Sequence, residues 1–152
     1  MLNYSFPVTL LNRYFPVTVA LYGLLTTLTL VVLFHGLIVL GVLPAGIVWG
    51  GRVESREQLL VLEAVSITLN LLMLAVAAVR AGLLNVRVRP VVLQIAFGLM
   101  TALFLLNTLG NMVSKNELEK AVFTPLTLLL ALCCLRLTFA AGPGYSKPPV
   151  AQ

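Results

Sequence analysis

The chain has 152 residues, of which 60% are hydrophobic and only 10% charged, with a net charge of +5. Soluble domains carry roughly 25% charged residues, so the composition excludes an ordinary water-soluble domain. All five acids are glutamates (Glu54, Glu57, Glu63, Glu117 and Glu119), and this excludes any chemistry built on aspartate clusters.

The N-terminal segment, residues 1–16, reads as interfacial. It contains "FPVT" at Phe6–Thr9 and again at Phe15–Thr18, and only the second copy leads straight into an apolar run. Tyr4, Phe6 and Tyr14 would anchor it at the membrane surface. A membrane-spanning helix needs about 20 apolar residues, and four stretches supply them: about Val17–Leu43, Leu59–Val79, Val91–Leu109 and Ala121–Leu137. The punctuation agrees. Pro16 and Pro90 stand at the first turns of spans one and three, where a missing N–H costs least. Ser55 to Gln58 and Ser114 to Glu117 have the pattern of capping boxes ahead of spans two and four. "GVLPAGIVWGG", Gly41–Gly51, reads as a turn with Trp49 at the boundary. Gly110 suits a helix end, and Pro125 suits a kink early in span four. Residues 17–141 therefore form the transmembrane domain, and the Gly/Pro-rich residues 142–152 form a flexible tail.

Lys and Arg placement sets the expected direction. Arg13, Arg80, Arg87, Arg89, Arg136 and Lys147 fall on one side, and Arg52, Arg56, Lys115 and Lys120 on the other. Six bases against four place both termini inside by the positive-inside rule. The expected fold is an all-α integral membrane four-helix bundle of two antiparallel hairpins, N-in and C-in, in a bacterial-type inner or plasma membrane. The inner basic loop, Arg80, Arg87 and Arg89, would meet anionic headgroups; it is too short to suit nucleic acid.

Each span carries a stripe of small and polar residues at helical spacing. The stripes are Thr18, Tyr22, Thr29 and Gly36; Glu63, Ser66, Asn70 and Ala77; Gln94, Gly98, Thr101 and Thr108; and Thr127, Ala131, Cys134 and Thr138. Lipid solvates large apolar side chains, so these stripes are expected to face one another. Adjacent Cys133 and Cys134 read as packing residues, since disulfide geometry suits neighbours poorly.

Glu63 is the conspicuous residue, because an acid inside a span is a functional-site candidate. Arg56, seven residues earlier on the same face, is the expected ion-pair partner; Arg52, Lys120 and His35 are the alternatives. The candidates for a pathway or polar seam are Glu63, Ser66, Asn70, Gln94, Thr101 and His35.

Several enzyme classes lack their residues. There is no C-x-x-C pair, no aspartate cluster, no second histidine for haem, no Ser-His-Asp set and no phosphate loop. "SREQLLVLE" resembles the Arg- and Glu-bearing helix of glutathione-using four-span membrane enzymes, whose size and topology the chain shares, but the Asn-x-x-Glu-Asn arrangement expected there is missing. No cofactor or metal site is indicated. The first reading is a non-enzymatic oligomeric membrane protein, with a transport or channel role, that forms a small-solute or ion pathway. The others are an accessory subunit of a larger membrane complex, bound to a membrane-protein partner, and a small membrane enzyme.

Overall fold

The computed structural model describes residues 14–49 and 53–140. These form four long helices and, among the described residues, no strand. The helices are α1 (Val17–Val39), α2 (Arg56–Ala81), α3 (Pro90–Met112) and α4 (Thr124–Ala140). With the wider turn Glu119–Phe123 that leads into α4, all four are long and apolar enough to cross a membrane. The segment before Tyr14, the Arg52 region and the tail from residue 141 lie outside the described residues. So do Tyr4, Phe6, Arg13 and Lys147.

Local chemistry explains the boundaries. α1 ends where Gly41 takes φ +75 and the Val42 N–H reaches back to Leu37 O at 2.9 Å. α2 ends the same way: Gly82 takes φ 77, and the Leu83 N–H meets Ala78 O at 2.9 Å. A left-handed residue after the last turn lets the chain return to the open carbonyls, and glycine pays no Cβ penalty there. At the start of α2, Ser55 Oγ accepts from Gln58 N at 3.1 Å, as the capping pattern predicts. Span four departs from its pattern. The cap is Asn116, whose Oδ1 accepts from Leu118 N at 2.8 Å and Glu119 N at 3.4 Å. Ser114 instead bonds the Glu119 side chain. Pro125 has no N–H to offer, and just ahead of it the helix slips into a π-turn over Glu119–Phe123. Such a slip re-pairs carbonyls that a proline would orphan. Gly110 lies inside α3 rather than at its end.

α3 packs most closely on α4, α1 on α2, and α1 also on α4, whereas α2 and α3 scarcely touch. The packed core comprises Ala20, Leu24 and Leu28 of α1, Ala77 of α2, Phe97 and Met100 of α3, and Cys134 and Leu137 of α4. Both cysteines are free thiols buried in it.

Two ends of the bundle can be told apart by their ties. At the arginine end, Arg80 Nη2 donates to Ala140 O at 3.2 Å and Arg136 Nε donates to Phe15 O at 3.0 Å. Arg136 is buried, and together these two side chains satisfy carbonyls beside the first turn of α1 and in the last turn of α4. At the opposite end, the α1–α2 connection forms a strap through the short 3-10 turn Ala45–Ile47. Asn116 Nδ2 holds this strap through Gly46 O at 2.7 Å.

One stripe faces the wrong way. Thr18, Tyr22 and Thr29 are exposed, and α1 packs instead through Ala20, Leu21, Leu24, Leu25 and Leu28. The Thr29 hydroxyl donates to Leu25 O at 2.9 Å. A threonine that satisfies its hydroxyl on its own helix needs no seam. Stripe residues of the other spans turn inward: Ala77, Thr101, Thr108, Ala131 and Cys134 are buried.

Candidate functional site: a buried carboxylate beside a cleft

α2 carries Glu63 seven residues past its start, about 10 Å along the axis. Its side chain is 0% exposed. Burying a carboxylate is costly unless donors meet its oxygens. Two do. His35 Nδ1, from the last third of α1, lies 2.6 Å from Oε2, and the Trp49 indole Nε1 donates to Oε1 at 2.8 Å from the strap. Against a carboxylate, which accepts, the imidazole donates from Nδ1, and Nε2 has no partner among the described residues.

Trp49 has φ 61, the only non-glycine positive φ among the described residues. This conformation costs a bulky residue of order 1–3 kcal/mol, and the charge-assisted bond to Glu63 helps to offset it. The strap is therefore held on one side by Glu63 of α2 and on the other by Asn116 of the α3–α4 connection.

Arg56 does not take the expected role. It is exposed in the first turn of α2, and among the described residues the partners of Glu63 are His35 and Trp49. Residues seven apart share a helix face but stand two turns apart. His35 is brought alongside by the packing of α1 on α2.

Beside this cluster lies a cleft of about 540 Å³ between α2 and the α3–α4 pair, in the gap where α2 and α3 part. Val48 and Trp49 roof it at the strap end. Met73, Phe104 and Leu130, all buried, floor it roughly midway along the helices. Within one chain the cleft therefore stops at the core and does not pass through. The half-buried Ser66 and Asn70 line the α2 wall, and Asn107 and Asn111 line the α3 wall. Asn70 Nδ2 donates to Ser66 O at 2.8 Å, which leaves its carbonyl oxygen toward other donors. Asn111 Nδ2 donates to Thr127 Oγ1 at 3.3 Å, and the same hydroxyl lies 2.9 Å from Thr108 Oγ1. Glu119, also buried, lines the cleft near the roof and accepts from the Ser114 hydroxyl.

Four of the six seam candidates thus gather at this place: His35, Ser66 and Asn70 line the cleft, and Glu63 lies directly behind His35 and Trp49. Gln94 and Thr101 do not line it. Thr101 is buried nearer the arginine end, its hydroxyl donating to Phe97 O at 2.8 Å. Trp49, Asn107, Glu119 and Ser114 join the site without a sequence signal for that role; Trp49 reads as a boundary anchor and Ser114 as part of a capping box. Among the described residues no group of three or more His, Cys or acidic side chains is placed to hold a metal ion.

The fold and site define a class, a four-helix multi-pass membrane protein with a largely apolar cleft, carrying a few polar groups, in one half of the bundle. Comparison with protein-family models, curated proteins and solved structures gave no match.

Proposed function

We propose that the chain is a non-enzymatic membrane protein that binds a small solute in the cleft between α2 and α3. The observation that carries this is the cleft of about 540 Å³ set against the fully buried, doubly bonded Glu63. Drug-sized ligands occupy sites of roughly 300–1,000 Å³ with apolar walls and a few placed polar groups, and this cleft has that character. Orientation follows from the bases: the arginine end, with Arg80, Arg87 and Arg89, faces the inside and anionic headgroups, giving two antiparallel hairpins with both termini inside. The cleft then lies in the outer half of a bacterial-type inner or plasma membrane.

A pathway across the membrane would require a second copy to carry the solute past the floor. The outward-facing Thr18 and Tyr22 of α1 favour a protein neighbour there, either a homo-oligomer or the partner in a larger complex. Binding is tested by thermal unfolding of delipidated protein with and without total membrane lipid extract. The extract should raise the midpoint of wild type through ligand linkage and leave Ser66→Phe, whose ring fills the cleft, unmoved. Equal shifts in both would reject the site.

A further inference from the structure

We infer that the cleft takes a neutral amphipathic molecule, reached through the bilayer, whose hydroxyl donates to His35 Nε2. This rests on reading the cleft as a binding site, and three observations narrow the occupant.

The first concerns access. On the water side the strap closes the cleft, tied by Trp49 to Glu63 at 2.8 Å and by Gly46 to Asn116 at 2.7 Å. On the bilayer side α2 and α3 part, and the rim is formed by Val65, Leu69 and Leu106, which line the cleft and are exposed. An apolar rim between two lipid-facing helices admits a molecule dissolved in the membrane. It gives a hydrated ion no replacement for its water.

The second concerns charge. Two buried carboxylates, Glu63 and Glu119, flank the cleft. An anionic head would meet both where the effective dielectric constant is low and repulsion is strong. A cationic head could not touch Glu63, which has no exposed surface behind His35 and Trp49, and at Glu119 it would meet an oxygen already bonded by Ser114. A neutral head avoids both costs.

The third concerns hydrogen bonds. His35 spends its Nδ1 proton on Glu63, and no described residue bonds its Nε2. The ring is 15% exposed and lines the cleft. The carboxylate holds the ring by Nδ1 and so fixes its orientation, as it does for histidine ligands of metals. Asn70 of α2, which gives one amide hydrogen to Ser66 O, also lines the cleft, and its carbonyl oxygen has no partner among the described residues. With the imidazole neutral, Nε2 and the Asn70 oxygen are both acceptors in the cleft, and a hydroxyl is the neutral group that complements them.

Trp49 is the single tryptophan of the chain and lines the cleft, so its emission reports occupancy. Purified protein in phosphatidylcholine nanodiscs would be titrated with three probes of matched shape: a ring-brominated 4-octylphenol, its methyl ether, and the corresponding 4-octylbenzoate. Excitation at the red edge isolates Trp49, and bromine quenches it on contact. The phenol should quench saturably. The ether, which cannot donate, should bind about tenfold more weakly, the scale of one buried hydrogen bond left unmade. The benzoate should bind weakest, and Ser66→Phe should abolish the saturable component, leaving only the linear quenching of bilayer partition. Equal binding of phenol and ether, or tightest binding of the benzoate, overturns the assigned class while the cleft stands as a site. No saturable quenching by any probe overturns the class and the binding site together.

Discussion

His35 Nδ1 and Glu63 Oε2 lie 2.6 Å apart, joining α1 to α2 across 28 residues of sequence. The carboxylate at the centre of this contact has no exposed surface, and its other oxygen holds the indole of the strap. A buried donor or acceptor left without its partner costs about 1–3 kcal/mol, more when the group is charged. Glu63→Leu should therefore destabilise strongly, and His35→Phe somewhat less, since Trp49 still serves Glu63. A double-mutant cycle should give a coupling of about 1–3 kcal/mol. Arg56→Gln, exposed and away from the pair, should stay within about 0.5 kcal/mol. Chemical or thermal unfolding in detergent measures all four, and a large effect of Arg56→Gln with none of His35→Phe would reverse the assignment.

The strap offers a separate test. Asn116 both caps the helix that follows and holds Gly46 O. Replacing an N-cap by alanine costs about 0.5–2 kcal/mol. Asn116→Ala should show that loss together with faster amide exchange at residues 46–48 and unchanged exchange in the middle of α2. Unchanged exchange in the strap would mean that Glu63 and Trp49 hold it alone.

The spans were legible because twenty apolar residues in a row admit little else, and glycine and proline mark their ends. The inward faces were only partly legible. On α2 an acid cannot rest against lipid, so Glu63 pointed correctly to the interior. On α1 the polar residues are threonines and a tyrosine; Thr29 back-bonds to Leu25, and leucines form the contact instead. The partner of Glu63 was the harder inference. Same-face spacing favours Arg56, but only tertiary packing brings in a histidine and a tryptophan from 28 and 14 residues away. The cleft itself has no sequence signature, because it arises from two neighbouring helices that fail to meet.

Helix packing can be checked on α3. A Cβ added at Gly98 would lie 4.0 Å from Thr138 Cγ2, an ordinary contact, so Gly98→Ala should be accommodated. Gly98→Leu forces bulk between α3 and α4 and should cost about 1–3 kcal/mol. Leu99 is 67% exposed, and Leu99→Ala should change stability by less than about 0.5 kcal/mol. If the Leu99 variant were the less stable, the face of α3 would be misassigned.

Orientation is read by labelling single introduced cysteines with an impermeant thiol reagent in intact cells. Cys133 and Cys134 are buried and should add no background. Asn85→Cys, on the arginine-end loop, should react only after the membrane is opened, and Lys115→Cys, on the strap end, should react from outside. Labelling of Asn85→Cys in intact cells would turn the cleft toward the inner leaflet.

The central claim, that the cleft is an occupied binding site rather than a packing gap, is tested most directly by native mass spectrometry of protein released from its membrane in mild detergent. Wild type should carry one small neutral molecule per chain, and Ser66→Phe, of the same subunit number, should carry none. The same spectrum reads whether the chain is a homo-oligomer or is held by a different partner. A wild-type chain bare of any small molecule, or a Ser66→Phe chain that retains it, would contradict the account.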